Sequence, residues 1–166
     1  MKVLGVDPGL RITGYGLIQV SPSKNALPKM DVIEAGVVRT NERSGIAERL
    51  RKIYASLSEL VEETRPDVLV IEKLYSHYAH PATAILMGHA RGAVCLVAGT
   101  HGVPLESLAS TSVKKTVTGH GHAGKAQMQQ MVRHLLGLRK VPEPADVADA
   151  LAVAITYASQ WRGKKP

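Results

Sequence analysis

Apolar residues over the first forty positions fall in short, alternating stretches, the period of strands and not of helices. Val3 to Asp7 is a compact apolar strand that stops at the turn signal Asp7-Pro8-Gly9; Thr13 to Val20 alternates around Gly14 and Gly16; Val32 to Thr40 follows a loop from Pro22 to Pro28. Short connections predict an antiparallel meander. Ser44 then reads as an N-cap, and Ile46, Leu50, Ile53, Leu57 and Leu60 or Val61 recur at helical spacing until Arg65-Pro66 stops the helix. Val68 to Glu72 is an unbroken run of Val, Leu and Ile that predicts a buried strand. A helix from Pro81 or Ala82 to about Gly99 and a short strand from Val103 to Leu105 come next.

The remainder reads as helical. Thr111 to Thr118 predicts a short helix, Gly119 to Gly124 a glycine-rich loop, and Lys125 to Leu136 an amphipathic helix ending at Gly137. Pro142 and Pro144 introduce a last helix from Ala145 to about Trp161. A meander followed by alternating helices and strands indicates an α/β domain with a mixed sheet. At 166 residues the chain fits one domain able to bury roughly 70% of its unfolded surface without a disulfide or zinc staple. That domain is expected over residues 1–158, with a basic, disordered tail over 159–166.

The lone Cys95, inside the apolar stretch Arg91 to Gly99, excludes an internal disulfide and reads as a buried thiol in a reducing compartment. No signal pattern opens the chain, and no apolar run approaches the roughly 20 residues of a membrane span. A soluble, cytoplasmic protein is expected. The formal net charge of +7 and a pI near 9.7 favour a polyanionic partner.

Against that basic background four carboxylates stand out. Asp7 and Glu72 each close an apolar strand, where a single acid often marks only the return of the chain to water. Asp146 and Asp149, three apart on the last helix, emerge on one face with Cβ atoms roughly 5–6 Å apart, although acids near a helix N-terminus are favoured by the macrodipole alone. Neighbouring strands would put Asp7 and Glu72 in one crevice, and the helix pair would close its third side. Two-metal phosphodiester hydrolysis uses such a cluster, with ions roughly 3.5–4 Å apart, because Mg²⁺ requires clustered hard oxygens. Phosphate requires Lys and Arg. The pairs His77/His80 and His120/His122 have zinc-like spacing but no cysteine partner nearby and lie in polar segments, so DNA backbone is the expected partner.

The segments Val3-Leu4-Gly5-Val6-Asp7-Pro8-Gly9, Val70-Ile71-Glu72-Lys73-Leu74-Tyr75, His89-Ala90-Arg91-Gly92, Val113 to Gly119, Gly124-Lys125-Ala126-Gln127 and Ala145 to Ala152 together closely resemble the bacterial RuvC family of Holliday junction resolvases. The resemblance runs from Met1 to about Tyr157. It implies an RNase H-like fold, a homodimer, and nicking of four-way DNA junctions at two symmetrical positions, in recombination and repair, with two Mg²⁺ ions per site, replaceable by Mn²⁺. It further implies that Asp7, Glu72, Asp146 and Asp149 bind metal, that Lys114 and Lys125 lie near the scissile phosphate, and that Tyr75 stacks on junction bases. Lys115 and Arg91 widen the DNA-binding surface in this reading, and RuvA and RuvB are the implied branch-migration partners of a nucleoid-associated enzyme. Lys73 stands where the family is expected to carry Gln.

Two other classes compete. Gly5-Val6-Asp7-Pro8-Gly9 with Thr13-Gly14 resembles a phosphate loop of the actin, heat-shock and sugar-kinase group, which needs a second lobe that 166 residues cannot supply. A non-catalytic junction binder would keep Lys114, Lys125 and Tyr75 but have no use for four aligned acids. For dimerisation, the helix from about Ala82 to Gly99 offers the small residues Ala90, Gly92 and Ala93, with Val94 and Val97, to a second copy.

Overall fold

The computed structural model describes residues 1–23, 28–73 and 81–161. Its strands are β1 (Lys2–Asp7), β2 (Ile12–Ser21), β3 (Lys29–Arg39), β4 (Val68–Glu72) and β5 (Leu105–Leu108). The helices are α1 (Ile46–Thr64), α2 (Pro81–Thr100), α3 (Ser110–Thr118), α4 (Lys125–Leu135) and α5 (Ala145–Gln160). The strands form one mixed sheet in the order β3-β2-β1-β4-β5. β3, β2 and β1 are the antiparallel meander, and β1, β4 and β5 run parallel.

Alternation along the central strands sends side chains to two cores. Leu4, Val6, Leu17, Leu69 and Ile71 meet Ile53, Leu57 and Val61 of α1 and Ala90, Val94 and Val97 of α2. Val3, Ile18, Val68 and Val70 meet α3, α4 and α5 through Val113, Val132, Leu151 and Ile155. A sheet covered on both faces explains the unbroken apolar run of β4.

Glycines decide how closely α5 lies on the sheet. A Cβ on Gly5 would collide with the Ala150 carbonyl, one on Gly14 with the Asp146 carbonyl, and one on Gly16 with the Leu151 side chain. All three therefore form a groove of bare backbone on β1 and β2 into which the helix sinks. α5 is buried nearly all round, at Val147, Ala148, Ala150 to Thr156 and Ala158. It is a central helix and not one docked by a single apolar stripe, because α3 and α4 cover its outer side.

Several local expectations are corrected. Ser44 does not cap α1; Gly45 does, without a side-chain bond, and the helix closes at Arg65 in the left-handed region, φ 48°. The fifth strand is Leu105–Leu108 and not Val103–Leu105. Its position follows from pairing with β4, Leu69 opposite Leu105, whereas the Val103 N–H bonds back to Ala98 at the end of α2. Edge location explains the missing apolar signal, since Glu106 is exposed and its neighbours are half-buried. Cys95 is half-buried against the α1–α2 core instead of enclosed.

Contrary to the expectation from apolar runs, Thr83–Thr100 is long and apolar enough to cross a membrane by length and composition. In the fold one face of it, at Ala90, Val94, Val97 and Ala98, packs under the sheet, while most of the stretch is not buried. These burials also correct the surface expected to meet a second copy. Ala90, Ala93, Val94 and Val97 are used within the chain, and the outward face carries Ile85, His89, Gly92, Leu96 and Gly99. α5 ends at Gln160; residues 162–166, most of the expected tail, lie outside the described residues.

Candidate active site

The two strand-ending acids reach the same side of the sheet by parity. Val3 faces α5, Gly5 touches it, and Asp7 is the next residue on that face. In β4 the same alternation runs through Val68 and Val70 to Glu72, one residue past the pairing of Val6 with Ile71. α5, seated on Gly5 and Gly14, delivers its first turns to the same place. Asp7, Glu72 and Asp149 line a cleft of about 210 Å³ with Ser110, Val113, Lys114, Ala123, Lys125, Met128 and Ala152.

The electrostatics of the cleft show how tightly the acids are gathered. Asp7 is raised from 3.8 to about 7, first by burial and then by the charges of Asp149, Asp146 and Glu72, with Lys125 opposing. Glu72 is raised by burial and by Asp149, while a hydrogen bond from Ser110 and the charge of Lys114 pull the other way. Burial also raises Asp149, against Lys125 and Lys114 and reinforced by Asp146. Asp146 thus acts on both Asp7 and Asp149 although it does not line the cleft itself.

This donor set suits a hard divalent cation. It is all carboxylate oxygen, partly desolvated and mutually repelling, so positive charge among the acids would relieve all three raised groups. The carboxylates ring the cleft without closing into a cage: among the described residues no three acidic, His or Cys side chains meet at the spacing of one ion.

The other expected residues divide. Lys114, half-buried on α3, and Lys125, exposed at the first position of α4 behind Gly124, both border the cleft. Lys115 is exposed and does not line it. Arg91, expected on the DNA-binding surface, is half-buried and has its guanidinium bonded within the fold, donating to the Glu72 carbonyl and to Ser107 Oγ. Tyr75, His77 and His80 lie outside the described residues; His120 and His122 are exposed. Ser110 went unnoticed in the sequence, where nothing separates it from Thr111 and Ser112 until β5 and α3 bring it to Glu72.

The family model described as "Crossover junction endodeoxyribonuclease RuvC" matches residues 3–157. A protein of that name from Rhodopirellula baltica is 48% identical over 153 residues, 92% of this chain and 83% of that one. The solved structure of Thermus thermophilus RuvC superposes with a TM-score of 0.84 at 34% identity, covering 96% of this chain and 94% of that chain. The same protein in complex with Holliday junction substrate gives 0.86 at 35%, covering 95% and 93%. The mixed sheet flanked by helices is accordingly an RNase H-like fold. With the match running through the meander, the acid-bearing strands and α5 alike, the chain belongs to the RuvC family of crossover junction endodeoxyribonucleases.

Proposed function

We propose that this chain resolves four-way DNA junctions by paired symmetrical nicks, and that Asp7, Glu72, Asp146 and Asp149 form its metal-binding catalytic centre. The observation that carries the reading is the gathering of Asp7, Glu72 and Asp149 into one cleft bordered by Lys114 and Lys125 in a member of this nuclease family. Nucleases of the family are divalent-metal dependent as a class, and Mg²⁺ or Mn²⁺ is the cofactor assigned here. Two bound ions would supply a hydroxide nucleophile at neutral pH and stabilise charge on the leaving oxygen.

The chain's own groups do the rest. The four acids are carried by three separate elements, β1, β4 and α5, so strands and a helix, not loops, present the donor set. Lys125 lies close enough to shift Asp7 and Asp149, and Lys114 close enough to shift Glu72 and Asp149. Both lysines therefore reach the region where a scissile phosphate must lie, and offer charge to its oxygens or a proton to the leaving group. Tyr75, three residues past Glu72, is assigned to stacking on an unpaired crossover base.

Paired nicks need two centres, and one chain holds one set of acids. A two-fold dimer through α2 meets the need: Ile85 and Leu96 are 60% and 59% exposed, and a Cβ at Gly92 or Gly99 would meet nothing. RuvA and RuvB are assigned as partners on family membership alone. The test is a nicking assay on an end-labelled four-way junction with Mg²⁺ and with chelator. Paired cuts at symmetrical positions, abolished by chelation, are expected; cutting of linear duplex at the same rate, or persistence in chelator, would overturn the proposal.

A further inference from the structure

Arg91 sits on α2 between fully buried Ala90 and exposed Gly92, so its side chain leaves the helix at the margin of the core. There it meets the ends of two strands. The last rungs between β4 and β5 pair Glu72 with Leu108 and carry the Lys73 N–H to the Leu108 carbonyl at 2.7 Å, after which the chain beyond β5 turns away into α3. At that point Arg91 Nη1 donates to the Glu72 carbonyl, and Nη2 donates to Ser107 Oγ at 2.9 Å.

We propose that Arg91 is a positioning residue for Glu72: its guanidinium ties the backbone at the end of β4 to β5 and α2, and so fixes where the Glu72 carboxylate enters the cleft. This rests on the reading of Glu72 as a catalytic acid. Ser110, the first residue of α3, lines the same cleft beside the carboxylate. Glu72 is thus held at its carbonyl from α2, while its side chain enters a cleft that α3 borders. A planar guanidinium suits the task because two donors leave it in fixed directions, whereas a lysine ammonium reaches one acceptor without fixing the angle to a second. The role differs from gripping DNA, since both contacts are internal. It also joins the catalytic strand end to the helix whose outer face, at the very next residue, is assigned to the second protomer.

The test compares Arg91→Ala, Arg91→Lys and Ser107→Ala in single-turnover nicking of a four-way junction with Mg²⁺, alongside junction binding in chelator at several salt concentrations. Misplacing a catalytic group by an ångström costs on the order of 100-fold. Arg91→Ala is therefore expected to slow nicking at saturating protein by roughly 10–100-fold while the junction Kd and its salt slope stay within about twofold of wild type. Arg91→Lys should recover part of the rate, and Ser107→Ala should lose a few-fold. A weakened Kd with a salt slope shallower by about one, and an intact rate at saturation, would make Arg91 a phosphate contact and overturn the proposal. Rate losses that vanish once corrected for the folded fraction would overturn it as well. If Arg91→Ala does not fold, Arg91→Lys and Ser107→Ala decide, and wild-type rates for both sink the idea. Glu72→Gln in the same assay separates the two readings: if it nicks normally, the assignment of Glu72 fails; if it is inactive while the lysine and serine variants are unaffected, only the role of Arg91 fails.

Discussion

Asp7→Asn should stabilise the metal-free protein while destroying its activity. The folded state raises Asp7 from 3.8 to about 7. Between those limits the folded protein holds a proton at Asp7 that the unfolded chain has released, so stability falls as pH rises from about 4 to about 7 and is then level. The difference of about 3 pH units, at 1.36 kcal/mol each, gives a penalty of about 4 kcal/mol above pH 7, an upper bound because side-chain shifts and water relieve part of it. The amide cannot ionise and escapes the penalty. Urea unfolding in chelator at pH 8 should therefore give the variant an advantage of roughly 2–4 kcal/mol, or several degrees in melting temperature for a domain of this size, shrinking to nothing near pH 4. Mg²⁺ should reverse the order, stabilising wild type by mass action and the variant much less. Equal stability at pH 8 in chelator, or a wild-type curve rising between pH 4 and 7 more steeply than the variant's, would refute the claim that Asp7 is held against burial and like charge.

Further outcomes follow from the same geometry. Glu72→Gln and Asp146→Asn should bind a junction within a few-fold of wild type, by gel shift in chelator, yet nick it more slowly by orders of magnitude. Gly5→Ala puts a methyl group into the Ala150 carbonyl, so α5 must lift off β1; a loss of several kcal/mol in denaturant unfolding is expected, against almost none for Gly99→Ala on the open face of α2 once its gain in helix propensity is allowed for. Leu96→Glu places a charge on the exposed stripe of α2 and should shift sedimentation equilibrium at micromolar protein toward monomer while the melting temperature of the monomer holds. Tyr75→Ala should slow nicking of an intact junction far more than of one with unpaired bases at the crossover; equal losses on both would favour a packing role for the ring.

By itself the sequence determined the features carried by local periodicity and by ordered motifs. The meander, β4, the span of α5 and the acids at the strand ends follow from side-chain alternation, turn residues and unbroken apolar runs, and the motif order points to the family without reference to any contact. Tertiary structure decided what depends on distant partners. β5 exists where β4 offers a parallel edge, so its half-exposed Leu-Glu-Ser-Leu has no apolar signature, and an expectation built on Val103 fell two residues early. Gly14 and Gly16 read only as positions inside a strand, Gly14 also as part of a phosphate-loop resemblance, until α5 is seen resting on them, since close approach leaves no mark except the missing side chain. Which face of α2 is free, that Arg91 turns inward, and that Ser110 belongs with Glu72 are likewise decided by the packing of α2 and α3 against the sheet. The raised carboxyl of Asp7 is the plainest case, because an acid at the end of a strand is ordinary until burial and three other acids gather around it.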